Sequence, residues 1–418
     1  MTNTKTKVYF PGLNGLRFFA AFAVIITHIE LMKKYLGFDT LWFDAGRVQS
    51  FFYYPLRDIL DQKVHWLSPL VAELGPLGVV FFFVLSGFLI TYLLLVEKNQ
   101  TATVSIRKFY LRRVLRIWPL YFLIFILGFF VLPHFDAFYV PQQSESLQEN
   151  FWGNFWCYLC ILPNLGLAMY LLAVPAIGQS WSIGVEEQFY IIWPGIMKWF
   201  KKPLVAILSV TIVLLVFKAC IILLERNIEE MLWGHLHTKW LRVLNKFLAM
   251  SKIECMTIGA LGAWLIFTKK ERILNLIYSK AMLIFAVGGV FILIYFTPRA
   301  IQDGIHLLYA FCFLTIILNV SREGRFFVSL ENRFFHLLGK ISYGIYMYHL
   351  IVVTLVVFCF QQVLGRGSEL GFIDNLLIYV LSIGGTILIS WLSYEFFELR
   401  FIKIKTRFSK VISGEEAR

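Results

Sequence analysis

The chain alternates long apolar runs with short polar segments, and most of the polar segments are basic. Several runs reach about 20 residues, which is the length that a helix needs to cross the hydrocarbon core of a bilayer. We therefore predict an all-α polytopic membrane protein. The predicted spans lie near residues 13–34, 75–96, 114–132, 185–200, 203–224, 253–268, 281–297, 305–320, 336–360 and 374–396.

One further apolar run, residues 151–172, is broken by Pro163 and followed by Pro175. If it crossed the membrane, the basic segment at 198–202 and every later loop would change sides. We therefore expect a re-entrant or interfacial hairpin here, which leaves about ten transmembrane helices with both termini cytoplasmic.

The distribution of cations supports this arrangement. In this arrangement 25 of the 39 Lys and Arg residues lie inside and 12 outside, and Arg17 and Lys218 lie within spans. This excess of inside cations agrees with the positive-inside rule. The predicted organisation is then a cytoplasmic tail (1–12), a transmembrane domain (13–396) and a basic cytoplasmic tail (397–418).

Composition agrees with a membrane protein and excludes other classes. Of the 418 residues, 59% are hydrophobic and 17% aromatic, so a soluble globular domain is excluded. The net charge of +13 invites a nucleic-acid interpretation, but its distribution follows topology, so we expect membrane lipid as a partner and no nucleic acid. The sequence carries no signal for an oligomeric state.

The first span contains Arg17 and His28, and the ten residues between them are nearly all Phe, Ala, Val or Ile. Eleven residues at about 100° each bring both side chains to one face, about 16 Å apart along the axis. Polar groups at membrane depth are costly unless they face a partner or water, so this face predicts a polar cavity. The alternatives are that Arg17 extends to the membrane interface and that His28 is a hydrogen-bonded packing residue.

The third span begins with "FYLRRVLRIWPLY", in which Arg113 and Arg116 share a helix face at the predicted cytoplasmic mouth. Planar guanidinium groups suit phosphate oxygens, although ordinary positive-inside charge is the alternative. In the second span, the small pair Ser86 and Gly87 indicates close helix packing more than a catalytic serine.

Three other polar residues lie near the predicted depth of the cavity. Glu186 and Glu187 in "WSIGVEEQFYIIWP" either complement a helix dipole or orient an imidazole. His349, in "ISYGIYMYHLIV", lies among tyrosines and is interpreted as a hydrogen-bonded structural histidine.

Taken together, these segments resemble the acyltransferase-3 family of bacterial integral-membrane O-acyltransferases. The matching pieces occur in family order across residues 11–403: "GLRFFAAFAVIITHIE", "VFFFVLSGFLI", "FYLRRVLRIWPLYFL", "WSIGVEEQFYIIWP", "ISYGIYMYHLIV" and "LSYEFFELRFIK". One departure is Asn14-Gly15, where the family usually has Asp-Gly.

The resemblance implies an O-acyltransferase in the bacterial cytoplasmic membrane. An acyl group, acetyl in the first instance, would move from cytoplasmic acyl-CoA to a hydroxyl of a cell-envelope or exported carbohydrate or glycolipid, and no metal is expected. His28 would be the general base, and Glu186 or Glu187 would stabilise its imidazolium.

The resemblance also implies the other groups of the site. Arg17, Arg113 and Arg116 would bind the CoA phosphates. The residues expected to contact substrate or support the site are Ser86, Trp181, Ser182, Tyr346 and His349. A transporter or flippase of a lipid-linked glycan is the alternative, since it would also place polar groups at mid-depth.

Overall fold

A computed structural model gives the fold of the chain and describes residues 6–41, 66–231, 238–296, 304–322, 330–405, 408 and 411–413. Most of these residues are helical. The first half of the chain forms α1 (Leu13–Tyr35), α2 (Ser68–Thr101), α3 (Ile106–Ile126), α4 (Gln143–Glu149), α5 (Phe151–Leu159), α6 (Pro163–Tyr170) and α7 (Trp181–Trp199).

The second half is also helical. It forms α8 (Pro203–Met231), α9 (Thr238–Met250), α10 (Ile253–Phe267), α11 (Glu271–Ile277), α12 (Lys280–Phe296), α13 (Ile305–Val320), α14 (Arg333–Lys340), α15 (Ser342–Phe358), α16 (Phe372–Ser393) and α17 (Leu399–Lys405). Three of the helices, α3, α15 and α16, continue into single π-helical turns at Leu127–Val131, Cys359–Val363 and Tyr394–Glu398.

Seven helical stretches in the described ranges are long and apolar enough to cross a membrane, so the chain is a multi-pass all-α membrane protein. They are Leu13–Tyr35, Ser68–Thr101, Ile106–His134, Pro203–Glu225, Lys239–Phe267, Ser342–Val363 and Phe372–Lys405. The pair α11 and α12 would form an eighth, bent by 56°, and α13 is a shorter apolar helix. The count of ten spans and the sidedness of the termini stay predictions.

The apolar segment 151–172 forms a helical hairpin rather than a long helix. Its helices α5 and α6 have 9 and 8 residues, well short of the roughly 20 needed to cross a bilayer. The Tyr121 hydroxyl of α3 donates to Tyr158 O at 2.7 Å, and the side-chain amides of Asn164 and Gln188 bond to each other. These contacts fix the hairpin against α3 and α7.

The centre of the bundle is formed by α1, α2, α10 and α15. Close approach of α2 and α10 depends on two glycines: a Cβ on Gly87 would lie 1.9 Å from Met256 O, and one on Gly259 would lie 2.0 Å from Val84 O. This agrees with the expectation that the small pair Ser86 and Gly87 allows close helix packing.

The predicted span 336–360 differs from the structure, which divides it into α14 and α15. Asn332 begins α14 by accepting a hydrogen bond from Phe335 N at 2.9 Å, and the Ser342 hydroxyl donates to Gly339 O at 2.8 Å where α15 begins. A Cβ on Gly339 would lie 2.4 Å from Asn14 O. The short α14 therefore packs directly against the beginning of α1.

Two short strands near the two ends of the described chain pair with each other. Thr6–Val8 (β1) pairs in parallel with Val411–Ser413 (β2). Arg112 Nη1 donates to Phe408 O at 3.2 Å, so the same C-terminal segment contacts α3. The strands therefore lie at the end of the bundle where α1 and α3 begin.

Candidate active site

A cavity of about 180 Å³ lies between α1, α2, α3, α7 and α15, and we call it the arginine cavity. Apolar side chains from α2 form much of its wall. Its polar lining consists of Tyr9, Asn14, Arg17, Ser86, Arg113, Arg116, Ser182, Glu186, Tyr190, Ser342, Tyr343 and Tyr346. Three of the arginines that the sequence singled out thus line one cavity, together with one of the two adjacent glutamates.

The cations of the cavity come from two helices that begin at the same end of the bundle. Arg17 lies in the second turn of α1 and donates from Nη1 to Asn14 Oδ1 at 3.2 Å. The Arg113 guanidinium lies over the rings of Phe109 and Tyr190, at 5.7 and 5.9 Å from their centroids. Its Nε is buried without a hydrogen-bond partner among the described residues. Such an N–H group can donate a hydrogen bond to an anionic ligand.

The arginines in "LRRVLR" do not share one environment. Arg112 pairs with Glu97 Oε2 at 3.1 Å, and the other carboxylate oxygen of Glu97 accepts from Ser105 N at 2.9 Å. Arg113 and Arg116 instead face the arginine cavity. Helical spacing explains the difference, because neighbouring residues point about 100° apart.

The same geometry separates the two glutamates of α7. Glu186 lines the cavity, where Ser86 Oγ donates to Oε1 at 2.9 Å and the Tyr190 hydroxyl donates to Oε2 at 2.8 Å. Glu187 is buried elsewhere and accepts from Trp118 Nε1 at 3.3 Å. Glu186 is therefore the glutamate that faces the site.

The carboxylate of Glu331 lies near Asn14, with His336 between them. Asn14 Nδ2 is 3.0 Å from His336 Nδ1, and His336 Nε2 is 3.4 Å from Glu331 Oε2. Burial alone would raise the pKa of Glu331, but hydrogen bonds from Gly12 N and the Tyr9 hydroxyl hold this pKa below its usual range. The ionised Glu331 carboxylate is therefore connected to Asn14 through His336.

His28 and His349 form a pair of imidazoles with a ring-centroid separation of 4.8 Å and an interplanar angle of 62°. His28 Nδ1 lies 2.8 Å from Val24 O, and His349 Nδ1 lies 2.6 Å from Tyr346 O. A carbonyl only accepts, so these contacts assign the proton of each neutral ring to Nδ1 and leave a lone pair on each Nε2.

Tyr346 connects the histidine pair to the arginine cavity. Its side chain lines the cavity, its hydroxyl donates to Gln179 O at 3.1 Å, and Ser182 Oγ lies 2.6 Å from that hydroxyl. The tyrosine ring is 5.7 Å from the His349 ring. Neither histidine belongs to the lining of the cavity. Tyr346 therefore lies between the arginine cavity and the histidine pair.

Several residues at the site were not among the candidates from the sequence, and Tyr190 and Gln179 are two of them. Tyr190 bonds to Glu186 and stacks near Arg113, and its position four residues after Glu186 would have placed it on the same helix face. Gln179 donates from Nε2 to Met347 O at 2.5 Å and holds Tyr346 through its backbone carbonyl. No local pattern marks Gln179. Trp181, which was a candidate, packs edge-on against Phe83 outside the cavity lining.

The chain belongs to the acyltransferase-3 family, since the family model described as an acyltransferase domain matches residues 10–395. The resemblance deduced from the motifs is therefore confirmed over nearly the whole chain. No solved structure matches the chain significantly.

Curated relatives are O-acetyltransferases. The chain is 25% identical over 402 residues to O-acetyltransferase OatA of Staphylococcus aureus strain NCTC 8325, covering 93% of this chain and 57% of the relative. It is 25% identical over 211 residues to peptidoglycan O-acetyltransferase OatA of Listeria monocytogenes, covering 48% and 27%. A putative O-acetyltransferase of S. aureus strain COL is 24% identical over 96% of this chain and 59% of its own length. The chain thus spans less than two thirds of the length of these relatives.

Proposed function

We propose that this chain is a membrane O-acyltransferase that transfers an acetyl or other acyl group from acyl-CoA to a hydroxyl of a cell-envelope carbohydrate. The observation that carries the proposal is the arginine cavity, which adjoins the histidine pair through Tyr346. The match to an acyltransferase family and to O-acetyltransferases supports the same reaction.

The donor would enter the arginine cavity from the end where α1 and α3 begin. Arg17, Arg113 and Arg116 would bind the phosphates of acyl-CoA, because guanidinium groups match phosphate oxygens in geometry and charge. The unpartnered Nε of Arg113 supports this role. Glu186, held by Ser86 and Tyr190, would set the position of the surrounding cations.

His28 would act as the general base through its unprotonated Nε2. The acceptor oxygen bonds to the thioester carbon while its proton passes to His28 Nε2. The carbon–sulfur bond then breaks, and the CoA sulfur takes that proton and leaves as the thiol. The products are the carbohydrate ester and free CoA.

For this reaction the thioester must pass Tyr346. The tyrosine would turn away from Gln179 O and Ser182 when the pantetheine arm extends along the cavity toward His28. Apolar side chains of α2 that line the cavity would contact that arm.

The proposed orientation is the one deduced from the cations. Ten spans in the cytoplasmic membrane of a bacterium, with both termini inside, put the arginines on the acyl-CoA side. The same arrangement puts His28 in the outer half of the bilayer, nearer to an acceptor on the cell surface.

The test is an acyl-transfer assay with the full chain in proteoliposomes, using acetyl-CoA labelled in the acetyl group and envelope carbohydrate as the acceptor. We expect alkali-labile label in the carbohydrate. His28→Ala should lower the transfer rate about 10²–10⁴-fold, the usual worth of a general base. His134→Ala, which changes an exposed histidine remote from the cavity, is the control and should leave the rate unchanged.

Two results would contradict the proposal. Movement of a lipid-linked glycan without any dependence on acyl-CoA would indicate the transporter alternative. A His28→Ala variant that keeps more than about a hundredth of the wild-type rate would remove His28 from the role of base.

A further inference from the structure

His349 is a candidate partner for protonated His28. His349 lies in the middle of the bundle, fully buried on α15, and its ring packs edge-on against that of His28. The backbone carbonyl of Tyr346 accepts a hydrogen bond from His349 Nδ1, so His349 Nε2 is unprotonated and can act as an acceptor. That Nε2 is buried and has no hydrogen-bond partner within the described residues.

An acceptor without a partner at this depth is unusual, since buried polar groups are normally hydrogen-bonded. In the neutral state His28 cannot satisfy it, because the His28 proton lies on Nδ1 and is directed to Val24 O. Once His28 accepts a second proton, its Nε2 becomes a donor. At a centroid separation of 4.8 Å the two rings are close enough to share such a proton once they turn so that the two Nε2 atoms face each other.

We propose that His349 is a positioning residue that accepts a hydrogen bond from the His28 imidazolium and thereby stabilises the protonated base during acyl transfer. This inference rests on the proposed role of His28. The proton comes from the acceptor hydroxyl, resides on His28 Nε2 while bonded to His349 Nε2, and leaves on the CoA thiol. No net proton or electron is consumed by the histidine pair.

Contacts of the nearby carboxylates favour His349 over the glutamates for this role. Both oxygens of Glu186 accept hydrogen bonds, from Ser86 and Tyr190, within the arginine cavity. Glu187 accepts from Trp118 through Oε2, and its Oε1 has no partner among the described residues, but the residue lies outside the cavity lining and makes no described contact with His28. A neutral partner also suits the site, since a second charge beside His28 would have to be desolvated as well.

The test compares two substitutions at one position. His349→Phe keeps an aromatic ring and removes the acceptor, whereas His349→Gln keeps an amide oxygen that can accept from the imidazolium. We expect His349→Phe to lower kcat about 10- to 100-fold, the value of a hydrogen bond to a charged group, with KM for acyl-CoA unchanged. His349→Gln should recover most of that loss.

A matched control comes from the same helix. Tyr348→Phe removes the hydroxyl that donates to Ser393 Oγ at 3.0 Å and leaves the histidine pair intact, so kcat should stay within about twofold of wild type. Size-exclusion profiles and thermal unfolding in detergent identify any variant that fails to fold.

A double variant separates this inference from the proposed function. If the two histidines act together, His28→Ala with His349→Phe should be no slower than His28→Ala alone. A folded His349→Phe protein with wild-type kcat, alongside an inactive His28→Ala protein, would overturn the role of His349 and leave the proposed function standing. If His28→Ala stays active, the proposed base itself is wrong. Equal losses in the Phe and Gln variants would also overturn the hydrogen-bond role.

Discussion

At the scale of single residues, two clusters of polar groups inside the bundle lie next to each other. The arginine cavity holds three guanidinium groups around one carboxylate, and the histidine pair lies beyond Tyr346. Each polar side chain at this depth requires a partner, because an isolated one costs several kcal/mol in a hydrocarbon environment. Most have such partners in the protein. Arg113 Nε and His349 Nε2 are among the buried side-chain atoms of the described residues that lack one, and in the proposed function the substrate and its proton would act there.

The residue-scale prediction concerns the donor site. Arg113→Lys and Arg116→Lys keep the charge but lose the planar fork, so each should raise KM for acyl-CoA about tenfold, the equivalent of about 1.4 kcal/mol. Initial rates over a range of acyl-CoA concentrations provide the measurement.

The control for that series is Arg107→Lys, which changes an exposed arginine on the same helix. It should leave KM unchanged. If both cavity variants also kept the wild-type KM, the two arginines would contribute to topology alone.

At the scale of elements, close backbone contact between α2 and α10 positions the α2 side chains that line the arginine cavity. Ser86, which bonds to Glu186, immediately precedes the glycine that allows this contact. At the other end of α7, Lys98 Nζ donates to the carbonyls of Met197 and Phe200 at 2.8 and 2.7 Å. Carbonyls at a helix C-terminus lack intrahelical partners, so Lys98 caps α7 and ties it to α2.

The element-scale prediction tests the glycine contact. Gly87→Ala should destabilise the protein by about 1–3 kcal/mol, because its Cβ would overlap Met256 O and force the helices apart. Thermal unfolding in detergent measures the loss.

Gly288 on α12 provides the matched control, since a Cβ there meets no atom within 4 Å. Gly288→Ala should be neutral or stabilising by up to about 1 kcal/mol, the helix-propensity difference between the two residues. Equal unfolding temperatures for the two variants would contradict a close contact at Gly87.

At the scale of the whole molecule, the helices differ in how much of their apolar surface is buried. The central helices α1, α2 and α15 are largely buried, whereas α8 and α16 expose many large apolar side chains. Such exposed apolar faces are normal where lipid replaces water as the solvent. The polar cavity and the histidine pair therefore involve the more buried helices, and α8 and α16 lie at the periphery.

The prediction at this scale concerns sidedness. After removal of the native cysteines, of which Cys160 and Cys220 are exposed, Gln148→Cys should react with an impermeant thiol reagent added outside intact cells. Lys201→Cys and Lys270→Cys should react only after the membrane is opened, because both lie in segments predicted to be inside.

External labelling at position 201 would mean that the hairpin of α5 and α6 crosses the membrane. In that case α7 would have the opposite orientation, and the proposed placement of Glu186 relative to the acyl-CoA side would have to be revised.

The sequence by itself determined the membrane class, most of the long helices and the family. Apolar runs have few alternatives in a bilayer, because every backbone polar group must be bonded within the segment. The family followed from six motifs in order, and helical spacing was enough to place Arg113 and Arg116 on a shared face. Proline positions also sufficed to predict that residues 151–172 do not form one long helix.

Only the tertiary structure decided which polar groups meet. His28 and His349 are separated by more than 300 residues, and no local pattern indicates that α1 and α15 bring their rings together. Likewise, the choice between Glu186 and Glu187 depends on the rotation of α7 against α2 and α3. Such contacts arise from packing between distant segments, whereas helix formation depends on neighbours within a few residues, and this is why the sequence revealed the helices but not the histidine pair.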